Sequence, residues 1–142
     1  MIKIYTVTSC SSCKKAKEWM EKHRLPYVEI DLLTANIKRE DFLEILALTE
    51  DGTADIISRR SHAYRRLNID FETISLNELV QLMEENRTLL RRPLILDDRR
   101  LQVGYNDDEI RKFLPRPLRR VEVETAMERA KVYDYQERFE RV

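Results

Sequence analysis

The stretch TVTSCSSCKKAKEWM, residues 6–20, holds both cysteines of the chain, Cys10 and Cys13. Two thiols at this spacing can close a disulfide reversibly, supply half of a zinc site, or fill space in a core. Zinc needs about four ligands, and the two histidines, His23 and His62, stand isolated in the sequence, so no metal is expected. A purely structural bridge fits poorly, because so short a loop gains only roughly 2 kcal/mol by chain entropy and a cytosolic setting is reducing. Free cysteine is often buried, which keeps two inert core residues as an alternative. The reversible redox pair is the reading favoured here. The histidines read more simply as solvated surface groups.

Position assigns roles to the two thiols. IKIYTVT is β-rich and apolar at alternate residues, which predicts a first strand. From Cys13 onward, Cys13, Ala16, Trp19 and Met20 fall on one helical face, while Lys14, Lys15, Lys17 and Glu18 fall mostly on the others. Cys10 is therefore expected at the strand-to-helix turn and Cys13 in the first helical turn, facing inward. The unpaired N–H groups and dipole of a helix N-terminus favour an anionic sulfur, and nearby lysines reinforce this. Cys10 is the expected attacking thiol and Cys13 the resolving one.

Composition restricts the setting in which such a pair would work. At 142 residues the chain is one domain's length and long enough to bury a core. With 42% hydrophobic and 37% charged residues, 2 Gly and 4 Pro, it reads as a compact, helix-rich soluble protein. The start, MIKIYTVTSC, lacks a basic region followed by an apolar one, and no run approaches the ~20 apolar residues of a membrane span. A cytoplasmic location and no membrane partner are expected. Lys+Arg and Asp+Glu are both 26, whereas a free-standing nucleic-acid binder normally carries a basic excess to neutralise phosphates. Action at DNA would need another molecule to do much of the holding.

The remaining elements follow from turn and cap signals. PYVEID after Pro26 predicts a second strand. KREDFLEILALT, residues 38–49, repeats apolar groups at Phe42, Ile45 and Leu46 as an amphipathic helix, and Gly52 in TEDGT is expected at its left-handed C′ position. Thr53 is expected to cap a further helical segment through ADIISRRSHAYRRL. Ser75, three residues before Glu78, opens another helix as a capping box. PLILDD and RLQVGY predict two strands joined at residues 97–100, and Asn106 with Glu109 caps a short helix ending at Pro115. The expected fold is α/β: a thioredoxin-like mixed sheet in a single domain, 1–115, with core 1–32 and 71–115 and a helical insertion at 33–70. Residues 116–142 read as a charged C-terminal helical tail.

Two arginine clusters remain. IISRRSHAYRRLNI carries Arg59, Arg60, Arg65 and Arg66 with no acid until Asp70, and LLRRPLIL places Arg91 and Arg92 before Pro93. X-Pro entering a strand of this kind is often cis, which would bring Arg92 close to the C-x-x-C. Arg92 is then expected to stabilise an anionic Cys10 or hold an oxyanion beside it. The bland alternative for the first cluster is a solvated helix face.

Taken together, YTVTSCSSCKKAKEWM, ILALTEDGTADIISRRS and LLRRPLILDDRRLQVGYNDDEIRKFLP closely resemble the ArsC/Spx family over residues 1–115. TEDGT, RRPLI and LQVGYNDDEIR in register carry the resemblance, and C-x-x-C alone would not. It implies a non-enzymatic, redox-sensing transcriptional regulator that binds the C-terminal domain of the RNA polymerase α subunit. Such a regulator would activate thiol-stress genes, interfere with other activators, and meet promoter DNA only together with polymerase. By position, the resemblance makes Cys10 and Cys13 the regulatory disulfide and Gly52 the α-subunit contact. It makes Arg92 the residue responsive to Cys10, and Arg60 part of an anion-binding set. It also implies proteolysis by ClpXP, with or without an adaptor, through the C-terminal end, and no cofactor. Ala47, where a basic residue is common in the family, and the ending YDYQERFERV depart from the pattern.

The alternative within the family is a glutaredoxin-coupled arsenate reductase, with Cys10 as nucleophile. Those enzymes hold the oxyanion with three arginines, and where the third is expected this chain has Gly104 and Tyr105. A lost charge-assisted contact weakens anion binding by roughly 1.5 to 3 kcal/mol. A general thiol oxidoreductase is the third reading, and it would rarely need the insertion or the arginine clusters.

Overall fold

The computed structural model describes residues 1–116. The chain divides into two compact units, Met1–Ile110 and Arg111–Val142, and the sheet and every site residue lie in the first. The tail expected at 116–142 lies outside the described residues but for Arg116.

Strand β1 (Ile2–Thr6) runs parallel to β2 (Tyr27–Asp31), with Ile4 opposite Glu29, and antiparallel to β3 (Leu94–Leu96), with Ile4 opposite Ile95. β3 pairs antiparallel with β4 (Leu101–Val103), giving a mixed sheet of order β2-β1-β3-β4. The two central strands explain their own composition. Leu94, Ile95 and Leu96 are all buried, because an interior strand covered on both faces needs an unbroken apolar run. Helix α1 (Ser11–Lys22) makes the crossover that a parallel β1–β2 pair requires, and it buries Cys13, Ala16, Trp19 and Met20 as its spacing predicts. The β3–β4 turn closes on Asp97, whose Oδ1 accepts the N–H groups of Arg99 and Arg100.

Between β2 and β3 come α2 (Arg39–Ala47), α3 (Thr53–Ile56), α4 (His62–Leu67) and α5 (Leu76–Glu85). Ser75 caps α5 as expected, its Oγ accepting the Glu78 N–H at 3.2 Å. The segment read as an insertion contributes to the main core: Phe42, Ile45 and Ile56 pack in one cluster with Tyr5 and Leu94 of the sheet and Met83 of α5.

Three local expectations are corrected. Gly52 does have a positive φ, 69°, but it is the N-cap of α3 and not the C′ residue of α2, whose C-cap is Leu48, four residues earlier. The helix expected to run on from Thr53 is split in two. Ile57 bridges Leu90, Ser58 N–H donates to Leu89 O at 2.6 Å, and Arg91 N–H donates to Ile56 O at 2.8 Å. That short antiparallel ladder wins over helix because it buries the β-branched pair Ile56 and Ile57. Ser61 then restarts the helix, its Oγ accepting the Tyr64 N–H at 3.1 Å. His23 is no solvated bystander either, since its ring lies 4.2 Å from that of Trp19 and its Nδ1 is 2.9 Å from Trp19 O. His62 is exposed.

Candidate redox centre and arginine cavity

The β1–α1 turn positions the thiols. Ser9 bends the chain with φ 60°, and Cys10 then takes the N-cap of α1, its Sγ accepting the Cys13 N–H at 3.2 Å. One of the four orphan N–H groups of the helix is thus satisfied by the sulfur expected to react. Both thiols are free. Cys10 is half-buried, whereas Cys13 is 2% exposed. Burial pushes the Cys13 thiol up to about 12, helped by its hydrogen bond with Cys10, while the Val7 backbone and the Arg92 charge pull weakly the other way. Cys13 therefore stays protonated at neutral pH, and first attack falls to Cys10, as the spacing suggested.

Cys10 and Cys13 line a cavity of about 570 Å³ with Thr6, Lys14, Lys17, Glu29 and Asp31. Glu29 takes the Thr6 hydroxyl at 2.9 Å and Lys17 Nζ at 3.1 Å. The Thr6 hydrogen bond, with Lys17 behind it, holds its carboxyl below the usual range against a burial effect of opposite sign.

A second cavity, of about 550 Å³, is lined by Arg59, Arg60, Arg91 and Arg92 with Ser58, and no carboxylate is among its lining residues. The Ile56–Ser58 ladder brings these arginines together from two distant stretches of sequence. Arg60 and Arg92 share this site, while Arg66 turns away to Asn86 Oδ1 at 2.7 Å. The Arg92–Pro93 peptide is cis, as expected. The charge of Arg92 acts on Cys13, but Cys10 and Arg92 line different cavities.

Gly52 lines neither cavity. Its φ of 69° and ψ of −128° suit glycine, and a Cβ added there would meet nothing within 4 Å. Glycine is required by the backbone and not by crowding. Sequence reasoning passed over Asp55, whose Oδ2 accepts the N–H groups of Glu50 and Asp51 at 3.0 Å each. An acid three residues after a glycine N-cap was the available signal. At the position where a third arginine would complete an oxyanion site, Tyr105 donates its hydroxyl to Asp107 Oδ1 at 2.5 Å. That hydrogen bond is the main reason its phenol is raised to about 12.

Among the described residues no group of three or more His, Cys, Asp or Glu side chains could hold a metal ion. No helix among them is long and apolar enough to cross a membrane.

Comparison with known proteins places this architecture. The model of the ArsC family matches residues 5–113. The global transcriptional regulator Spx of Streptococcus pneumoniae is 51% identical over 130 residues, covering 92% of this chain and 98% of the relative. The protein of the same name from Staphylococcus aureus is 46% identical over 126 residues, 89% of this chain and 96% of the relative. Among solved structures, an arsenate reductase from Vibrio cholerae superposes with a TM-score of 0.68 at 21% identity, over 80% of this chain and 97% of that one. An ArsC family related protein from Bacteroides fragilis superposes with a TM-score of 0.67 at 23% identity, over 78% and 95%. These two likenesses concern the fold alone. A family model spanning most of the chain, joined to relatives about half identical along nine-tenths of it, leaves one placement: this chain belongs to the ArsC/Spx family.

Proposed function

We propose that the protein is a redox-responsive global transcriptional regulator that binds the C-terminal domain of the RNA polymerase α subunit through the turn at Gly52. The names of its half-identical relatives support the regulator role. The observation that carries the redox half is the stacking of two unlike thiols in one helical turn, Cys10 half-buried and Cys13 buried and protonated. The Cys10 sulfur attacks a peroxide oxygen or a disulfide sulfur and expels the leaving group. Cys13 then loses its proton, displaces the group left on Cys10 and closes the bridge, so two thiols deliver two electrons and two protons to the oxidant. Closure converts the N-cap acceptor of α1 into a disulfide sulfur, which re-aims the first turn beside Arg92. Polymerase supplies most of the affinity for promoter DNA, consistent with equal numbers of acidic and basic residues. ClpXP, reading the C-terminal end, completes the proposed partners, and the cytoplasm is the proposed location.

The test is calorimetric titration of the isolated α C-terminal domain into reduced and diamide-treated protein. One-to-one binding in both states is expected, with promoter-specific activation raised by diamide and a two-proton mass loss across Cys10 and Cys13. Absence of binding in both states would overturn the α-subunit reading.

The arginine cavity favours a second reading, an arsenate reductase. The phenol at Tyr105, standing where a third arginine would complete an oxyanion site, argues against it. No turnover of arsenate with glutathione and glutaredoxin is expected. Catalytic turnover that vanished in Cys10→Ser would replace the regulator with the enzyme.

A further inference from the structure

We infer that Asp55 is the positioning residue of the docking turn, holding residues 50–52 in shape for the partner and fastening them to the backbone that leads to Arg92. The docking part of this inference rests on the α-subunit reading above. Gly52 has no side chain with which to cap α3, and that helix has no side-chain cap of its own. The turn is instead organised from the far end of α3. One carboxylate oxygen, Asp55 Oδ2, receives two consecutive backbone N–H groups, those of Glu50 and Asp51, and Asp55 N–H donates in turn to Gly52 O at 3.3 Å. These charge-assisted bonds are of the stronger kind, and both converge on a single atom.

The same residue joins the turn to the rest of the fold. Asp55 O lies 3.4 Å from Arg91 Nη1, and the next carbonyl, Ile56 O, accepts Arg91 N–H at 2.8 Å. Ile57 then bridges Leu90 and Ser58 N–H reaches Leu89 O. The docking turn thus sits directly on a ladder whose other strand continues into Arg92, the arginine whose charge reaches Cys13. Glu50 and Asp51 are exposed, so without the carboxylate water would satisfy their N–H groups and the protein would still fold. What would be lost is the preorganisation of the turn, a cost then charged to binding.

The experiment compares the full-length wild type with Asp55→Asn and Asp55→Ala, all reduced. Amide hydrogen exchange at Glu50 and Asp51 is followed by NMR, and the Kd for the α C-terminal domain by calorimetry. Asp55→Ala is expected to speed exchange at both amides and to raise Kd, each by about tenfold or more. Asp55→Asn keeps an acceptor oxygen without the charge and is expected to fall between wild type and Asp55→Ala in both. Asp55→Leu, similar in size and without an acceptor, takes the place of Asp55→Ala if the latter melts early. Unchanged exchange in the variants lacking an acceptor would overturn the assignment, as would a loosened turn that binds α like wild type. A wild type that fails to bind α would remove the docking role. The exchange rates would still decide whether Asp55 holds the turn.

Discussion

The turn that presents Cys10 and the turn that carries Gly52 both bend through a positive φ, 60° at Ser9 and 69° at Gly52, and each opens a helix. They differ in what completes the bend. In the first, the side chain of Cys10 itself caps α1, so the atom that would be oxidised is also the atom that organises the backbone. In the second, the cap residue has no side chain, and the turn is ordered by a carboxylate three residues further on. Oxidation would therefore alter the first turn directly, whereas the second offers a bare backbone surface whose shape is maintained from behind. Under the proposed function, oxidation changes the first turn and the partner recognises the second.

The largest effect expected from breaking this contrast is at Gly52. Any Cβ there incurs roughly 1–3 kcal/mol of backbone strain, because the backbone conformation and not crowding is the obstacle. Gly52→Ala and Gly52→Arg should therefore lower the melting temperature by similar amounts. Affinity for the α C-terminal domain should instead fall with side-chain size, about hundredfold or more for Arg, since a side chain projecting into an interface core removes its contacts. Calorimetric binding by Gly52→Arg equal to wild type would show that the partner does not touch this turn.

Next in size is the asymmetry of the thiols. Iodoacetamide at neutral pH should modify Cys10 faster than Cys13 by about tenfold or more, because Cys13 is both buried and protonated. Quenched samples read by mass spectrometry measure the ratio, and denaturant should abolish it. Comparable rates in the native protein would remove the basis for assigning attacker and resolver.

The cap itself is worth less. Cys10→Ala leaves the Cys13 N–H without its acceptor and should cost about 1 kcal/mol in urea unfolding, whereas Cys10→Ser restores a good N-cap and should stay within about half of that. Equal losses in the two variants would mean that the sulfur does not support the helix.

A further effect lies in alkaline stability. The folded-state Cys13 value of about 12 stands above its ordinary value of 9.0, so the folded chain holds this proton more tightly than the unfolded chain. Its contribution to stability is fully present below about pH 9 and is lost as pH rises towards 12. Between pH 8 and 10.5 the melting temperature of wild type should fall more steeply than that of Cys13→Ala. Tyr5, also raised to about 12 by burial, acts in the same direction in both proteins and drops out of the difference. Parallel curves would count against the buried, protonated thiol.

Local rules were enough to read much of this protein from its residues. The alternating and unbroken apolar runs located the four strands, and the 3.6-residue spacing put Cys13 inside and Cys10 at the turn. Ser75, Asn106 and the turn at residues 97–100 each announced their hydrogen bonds, because caps and turns are settled within four residues of chain. The positive φ of Gly52 was legible for the same reason. Its role was not, since whether a glycine ends one helix or begins the next depends on which side finds hydrogen-bond partners, and here Asp55 supplied them.

Only the tertiary structure decided the rest. Helix propensity favoured a continuous helix after Thr53, but pairing with Leu89–Arg91, more than thirty residues away, broke it and buried Ile56 and Ile57. That pairing also assembled Arg59, Arg60, Arg91 and Arg92 into one cavity and left Cys10 to another. No window of sequence contains both sides of that contact. The spacing of Cys10 and Cys13 determined that both thiols lie within one turn of helix, the arrangement that the proposed bridge requires. Which charges surround that bridge was determined by long-range packing, because the energy that chose the ladder over the helix comes from apolar surface contributed by distant residues.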